Sequence, residues 1–246
     1  MKQRVRLTGR GCRAVVLGLL LAGGLPCRVA GAAVAALAVP DLETAIAGIG
    51  ARESDARRNF ARGLEAFEAN EWALAERLWL PAARAGNLQA RYHLALLYDR
   101  LAPGSMAALI WYRRAARDGH SDAQHNLALA YLQGEGVPRD LGEAIYWWTR
   151  AARQGNVDSQ YNLGLVYALG REGLVPDRAR ARYWWLQAAR HGDPAAQYNL
   201  ATLYASEPAR PDYCLARRWF LASSRNGFPR AAEALARLPG PASACR

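Results

Sequence analysis

A five-fold internal repeat constrains the fold of this chain more than any other feature of its sequence. Glycines recur at intervals of 33, 36, 37 and 35 residues, at Gly86, Gly119, Gly155, Gly192 and Gly227. Eight residues after each glycine comes a leucine: Leu94, Leu127, Leu163, Leu200 and Leu235. Self-similarity at a period of about 20–50 residues is typical of stacked units, each of which contacts mainly its neighbours.

Each unit predicts two helices. Small residues precede each leucine by four positions and tyrosines follow four of the leucines by four, so they share one face of a helix, here named helix A. Helix B carries an alanine followed three residues later by a bulky pair: Leu78-Trp79, Trp111-Tyr112, Trp147-Trp148, Trp184-Trp185 and Trp219-Phe220. We expect the first member of each pair in the core. The second is turned about 100° further round the helix, which allows partial exposure.

One helix pair cannot bury its own apolar face, so the units must stack. The pattern Ala-x-x-Asn-Leu-Ala/Gly-x-x-Tyr is followed by a Gly-x-Gly-Val loop and then by Ala-x-x-Trp-Trp/Tyr-x-x-Ala-Ala-x-x-Gly. This combination resembles the Sel1-like repeat, a relative of the tetratricopeptide repeat, over roughly residues 90–227. The resemblance implies an all-α solenoid of antiparallel helix pairs. We expect it to span residues 56–238, with a terminal capping helix, before a tail of residues 239–246.

The N-terminus has the three-part layout of a secretory signal peptide. A basic stretch ends at Arg13, an apolar run follows over residues 14–25, and Ala30-Gly31-Ala32 offers a cleavage site, with Ala38 closing a second one. The apolar run is shorter than the roughly 20 residues that cross a membrane, although an uncleaved anchor remains the alternative. We therefore expect a signal peptide over residues 1–32, a linker over residues 33–55, and a periplasmic or secreted protein that meets the membrane only during export.

The charge and the reactive side chains exclude several functions. The formal net charge is +11, but residues 1–32 carry six basic side chains and no acidic one, and the remainder lacks the basic stripe of a nucleic-acid-binding protein. The four histidines include no pair at the i, i+4 spacing of a helical zinc site. We expect no catalytic residue, no metal and no cofactor.

Two cysteines would remain after export. Cys214 stands where the last helix B is predicted to begin, and Cys245 follows the terminal helix. Antiparallel packing would bring these two regions together, so a disulfide that clamps the C-terminal cap is feasible. Two free thiols are the alternative.

The resemblance to tetratricopeptide proteins also implies a binding surface, because helix A lines the concave side of such solenoids and holds peptides there. Two ladders of helix A positions lie outside the small-Leu-Tyr stripe. The first ladder is Tyr92, His125, Tyr161 and Tyr198, and the second is His93, Asn126, Asn162 and Asn199. An Asn amide can bond a ligand backbone, and Tyr offers a large contact area with a polar tip. Alternatively, Asn bonds neighbouring helices and Tyr packs between units.

The sequence therefore predicts an exported, monomeric adaptor that binds a protein or peptide on its concave face without catalysis. Two alternatives remain open. Some secreted Sel1-like proteins resemble β-lactamases or penicillin-binding proteins in activity, although those carry paired cysteines in each repeat and this chain does not. The other alternative is an envelope factor whose arginine-rich half binds an anionic polymer or lipid.

Overall fold

The computed structural model describes residues 42–170, 172–208 and 210–240, with side chains from residue 55 onward. The predicted signal peptide, Cys245 and most of the predicted tail lie outside these residues. The chain divides into two compact regions, Met1–Ala45 and Ile46–Arg246. Only residues 42–45 of the first region belong to the described part.

The described residues fold into α-helices without a strand, which confirms the predicted all-α class. The helices are α1 (Leu42–Glu68), α2 (Trp72–Arg84), α3 (Leu88–Leu101), α4 (Met106–Arg117), α5 (Ser121–Gln133), α6 (Leu141–Arg153), α7 (Val157–Leu169), α8 (Arg178–Arg190), α9 (Pro194–Ala205), α10 (Tyr213–Arg225) and α11 (Pro229–Ala236). From α2 onward each helix packs against the next along the chain, which confirms the stacked helix pairs. Helix A of the successive units is α3, α5, α7 and α9, and helix B is α4, α6, α8 and α10.

The first helix departs from the predicted layout. Helix α1 begins at Leu42, so the segment predicted as a linker, residues 33–55, is helical from that residue onward. It takes the place of helix A in the unit that α2 completes. None of the helices in the described part of the chain is both long and apolar enough to cross a membrane.

Side-chain caps fix where most helices begin. Asp140 caps α6, since its Oδ1 accepts a hydrogen bond from the Glu143 N–H at 3.0 Å, and Asn156 caps α7 in the same way through the Ser159 N–H at 2.9 Å. The recurring glycines end the preceding helices in the left-handed conformation. Gly119, at φ +104°, is one of them.

The bulky pairs of helix B pack differently from the prediction. The second members are the more consistently buried: Trp79, Tyr112, Trp148, Trp185 and Phe220 are at most 5% exposed. Among the first members, Trp111 and Trp147 are also buried, whereas Leu78, Trp184 and Trp219 are only half-buried. The expected order was therefore wrong. The reason is geometric: helix B is covered by helix A of its own unit and by helix A of the next, so its buried stripe is wide and centred closer to the second member.

A buried polar ladder joins the units, and the sequence reasoning missed it. Gln124, Gln160 and Gln197 each donate from Nε2 to a helix B carbonyl eight residues earlier, at 2.9, 3.0 and 3.1 Å. Arg91 occupies the equivalent position and donates from Nε to the Ala83 carbonyl at 2.9 Å. Each of these carbonyls at the C-terminal end of helix B also accepts a hydrogen bond from the N–H of the recurring glycine, so the side chain adds a second bond that ties the next helix A to it. The sequence signal that could have revealed this ladder is the recurrence of Gln three residues before the repeated Leu.

Candidate partner-binding surface

The first predicted ladder lies mostly between units. Tyr92 stacks on the ring of His120, with ring centroids 4.2 Å apart. Tyr198 makes an edge contact with Phe220 at 5.3 Å and lies 4.9 Å from Phe228. These contacts fit the alternative interpretation, in which the aromatic side chains hold neighbouring units together.

His125 and Tyr161 complete the first ladder. The Nδ1 of His125 lies 2.9 Å from the Oγ of Ser159, which joins the A helices α5 and α7 side to side. Tyr161 is half-buried, and its carbonyl accepts a hydrogen bond from the Trp185 indole at 3.2 Å. The ladder therefore stabilises the stack, while the partial exposure of each side chain leaves some of its surface accessible.

The second ladder divides into two groups. His93 packs on the rings of Phe60 and Trp79 at 5.2 and 5.1 Å. Asn126 donates from Nδ2 to the Tyr112 hydroxyl at 3.2 Å. Asn162 and Asn199 are half-buried, and within the part of the chain that the structure describes their amides make no hydrogen bond. These two amides are therefore the members of the second ladder whose hydrogen-bonding groups remain unused within the described residues.

Burial lowers the pKa of three histidines on this side of the stack. Burial is the main cause for His93, and the neighbouring His120 lowers its pKa further. Burial also lowers the pKa values of His120 and His125, against the opposing effect of Asp122 on both. Burial therefore favours the neutral form of all three side chains.

The groove between α3 and α5 contains a pocket of about 180 Å³ with helix α4 as its floor. We name it the acidic pocket, because Asp99 and Glu135 line it beside Tyr112 and Asn126. The Oδ1 of Asp99 accepts a hydrogen bond from the Gly104 N–H at 3.1 Å. Burial raises the pKa of Tyr112, and Asp99 raises it further.

The next groove, between α5 and α7, contains an equivalent pocket of about 110 Å³ with helix α6 as its floor. We name it the apolar pocket, since its lining is mostly aliphatic: Leu132, Leu141, Trp148, Asn162, Leu165, Val166, Leu169 and Glu172. Leu132 and Leu169 stand at the repeat positions that Asp99 and Gln133 hold in the acidic pocket. The same cavity thus recurs one unit along with its polarity changed.

The floor of the apolar pocket contains an unusual tryptophan. The buried Nε1 of Trp148 has no hydrogen-bond partner among the described residues. The equivalent Trp185 donates to the Tyr161 carbonyl, and it fits because Gly164 leaves room for the ring. Ala128 stands at the Gly164 position in the unit of Trp148, and its methyl group fills that space. We attribute the unbonded indole to this Ala–Trp combination.

Neither pocket was predicted from the sequence. The ladders pointed to Asn126 and Asn162, which line the two pockets, but Asp99, Glu135 and Leu169 were missed. The sequence signal that could have revealed them is a break in the repeat. The residue five positions after the repeated leucine is Asp99 in one unit and Leu132 in the next. Within the described residues no group of three or more His, Cys, Asp or Glu side chains could hold a metal ion.

The repeated helix pairs of this chain match those of known proteins. The Sel1 repeat profile matches residues 88–120, 121–156, 157–193 and 194–228. A Sel1 repeat protein from Oxalobacter formigenes is similar in structure, at a TM-score of 0.63 and 27% identity over 72% of this chain and 73% of that one. The protective antigen c5321 from uropathogenic Escherichia coli, described as having an SLR fold, gives 0.67 and 25% identity over 75% of this chain. The match spans only 41% of that antigen.

Proposed function

Since the chain belongs to the Sel1 repeat family, whose members are generally protein-interaction scaffolds, we propose that it is an exported adaptor without catalytic activity. It binds a protein or peptide partner on the A face, the surface formed by helices α3, α5, α7 and α9. The observation that carries this proposal is the pair of adjacent pockets between the A helices. Each pocket includes one Asn of the second ladder, at Asn126 or Asn162.

The affinity test uses the tagged full-length chain, expressed in cells that process its own leader, as bait for proteins of the cell envelope. We compare the parent with the double variant Tyr161→Ala/Asn162→Ala. The matched control is Arg182→Ala/Tyr183→Ala on α8, where both side chains are exposed. A partner identified by mass spectrometry that the parent and the control retain, and that the folded A-face variant loses, supports the proposal. Equal retention by all three proteins contradicts it.

Export rests on the leader-like residues 1–32 and is tested separately. Fractionation of the expressing cells, followed by N-terminal sequencing of the exported chain, is expected to find a start at Ala33 or shortly after Ala38. A chain that stays in the cytoplasm with its original N-terminus would contradict this part of the proposal. Penicillin hydrolysis by the purified protein would instead favour the enzyme alternative.

One observation favours the anionic-polymer alternative. Helix B ends in an arginine in every unit, at Arg84, Arg117, Arg153, Arg190 and Arg225, and all five are exposed. Each arginine also complements the negative end of its helix dipole, which contributes about 0.3–1 kcal/mol and is sufficient reason for its presence. Binding to anionic lipid vesicles that disappears as salt rises, and that is lost in the Arg153→Ala/Arg190→Ala variant, would favour this second function.

A further inference from the structure

We propose that the partner is bound through an extended peptide segment with a basic side chain and, about three residues away, a large aliphatic side chain. The acidic pocket takes the basic side chain and the apolar pocket takes the aliphatic one. This inference rests on the proposed adaptor function and specifies the chemistry of the partner.

The charge of the acidic pocket selects a cation. Asp99 and Glu135 line the same cavity, and neither carboxylate forms an ion pair within the described part of the chain. The nearby cation Arg139 is paired with Glu172 instead. An arginine or lysine side chain entering between the two carboxylates would gain charge-assisted hydrogen bonds, which are about twice as strong as neutral ones.

The lining of the apolar pocket selects an aliphatic side chain. Leu132 and Leu165 form its walls, Trp148 its floor, and Leu169 stands at the rim with 48% of its surface exposed. A large apolar side chain that remains this exposed gains by being covered. The cavity of about 110 Å³ is well below the roughly 300–1,000 Å³ of small-molecule sites, so it suits one side chain of a longer ligand.

A polar group at the apolar pocket favours a peptide over a lipid tail. The amide of Asn162 lines the cavity and has no partner in the described structure. An Asn amide offers both a donor and an acceptor, which matches the C=O and N–H of an extended peptide backbone. A hydrocarbon chain would leave that amide without a partner.

The stacking of the units sets the spacing between the two side chains. Helices α5 and α7 touch side to side through His125 and Ser159, and packed helices have axes about 8–10 Å apart. The two pockets are related by one repeat, so their separation is close to this distance. An extended chain in the polyproline II conformation has three residues per turn and rises about 3.1 Å per residue. Side chains three positions apart then point to the same side, about 9 Å apart, and reach both pockets.

The test selects from a random eight-residue peptide library displayed on phage, with the immobilised full chain as bait. We expect enriched peptides to combine Arg or Lys with Leu, Ile, Met or Phe about three positions away. The variant Asp99→Lys/Glu135→Lys is expected to exchange the basic residue for an acidic one. The variant Leu132→Asp/Leu169→Gln copies the acidic lining into the second pocket, and should exchange the aliphatic residue for a second basic one. Arg182→Ala/Tyr183→Ala is the control and keeps the parent preference.

A direct measurement completes the test. The probe is a fluorescein-labelled peptide Gly-Ser-Arg-Ser-Ser-Leu-Ser-Gly, measured by anisotropy with each variant after circular dichroism has verified its fold. The Asp99→Lys/Glu135→Lys variant should bind it at least about tenfold more weakly than the parent and prefer the Glu-for-Arg peptide, because like charges then oppose each other. Absence of enrichment, or a preference that neither variant changes, overturns the inference. If an envelope partner is still lost from the Tyr161→Ala/Asn162→Ala variant, the adaptor function stands and only this recognition scheme fails.

Discussion

Trp185 lies with its indole ring against Gly164, and its N–H donates to the Tyr161 carbonyl at 3.2 Å. A Cβ atom at Gly164 would overlap that ring. We therefore predict that Gly164→Ala lowers the free energy of unfolding by about 1–3 kcal/mol, the usual cost of overpacking. The loss should appear although Ala is the better helix former by about 1 kcal/mol. Urea melts followed by circular dichroism measure it.

The control for this prediction is the reverse change at the equivalent position. Ala128→Gly gives Trp148 the space that Trp185 already has, so its unbonded N–H can reach the His125 carbonyl. We expect the new bond to offset the helix-propensity cost, leaving stability within about 0.5 kcal/mol of the parent. A loss of about 1 kcal/mol or more would show that Ala128 is not what keeps the Trp148 indole away.

The fold was predictable because packed helix faces recur every three to four residues. That period predicted both helices of the units and the burial of Leu94, Leu127, Leu163 and Leu200, all of which are fully buried. The order of burial within the bulky pairs was not predictable in this way. It depends on the orientation of helix B between two A helices. Moving the buried stripe by one residue around the helix leaves the period of the apolar pattern unchanged.

The candidate site was less predictable than the fold. The ladders include Asn126 and Asn162, which line the two pockets, but most of the first ladder packs between units. The pockets arise from differences between units, such as Asp99 against Leu132, and a repeat analysis averages such differences away. The helical start at Leu42 was missed because residues 42–55 lie outside the repeated pattern.

A second prediction concerns the side-chain oxygen of Gln160, a member of the buried polar ladder. The Oε1 of Gln124 accepts a hydrogen bond from the Gln154 side chain at 2.8 Å, and that of Gln197 accepts one from Asn226 at 3.1 Å. The buried Oε1 of Gln160 has no partner among the described residues, and His191 stands at the equivalent position. We expect His191→Gln to supply the missing donor and to stabilise the protein by about 0.5–1.5 kcal/mol in urea melts.

The matched control removes the bond where it already exists. Gln154→Ala should destabilise the protein by about 1–3 kcal/mol, because the buried Oε1 of Gln124 would lose its partner. If His191→Gln gives no gain while Gln154→Ala gives this loss, the Gln160 oxygen is satisfied in another way and the prediction is wrong.

A third prediction tests the register of helix A. Leu163 is fully buried between stacked units. Leu163→Ala removes apolar contacts and leaves a cavity, so we expect a loss of about 2–5 kcal/mol in the free energy of unfolding. The exposed Leu221 on α10 is the matched control, and Leu221→Ala should cost less than about 0.5 kcal/mol. A loss below 1 kcal/mol for Leu163→Ala would contradict the register.

A fourth prediction follows from the histidines whose pKa is lowered. The pKa of His125 lies below its ordinary value of 6.5 chiefly because of burial, although Asp158 and Asp122 oppose the shift. The unfolded chain binds a proton near pH 6.5 and the folded chain only at lower pH, so stability is fully present above about pH 6.5 and falls on acidification below it. His125→Gln should reduce the difference between urea melts at pH 7.5 and pH 5.5. An unchanged difference would exclude His125 as a cause.

The last prediction concerns the C-terminal cap. Cys214 is disulfide-bonded, while its predicted partner Cys245 lies outside the described residues, so the pairing itself stays a prediction. We expect mass spectrometry of a protease digest of the purified, unreduced chain to find the Cys214–Cys245 peptide, which disappears after reduction. Cys214→Ser/Cys245→Ser should lower stability by about 3–4 kcal/mol, the effect expected for closing a loop of this length. The loss should match that produced by reducing agent on the parent, and the reducing agent should leave the variant unchanged. Two free thiols in the denatured, unreduced protein would show that the pair does not form and that α11 is held by packing alone.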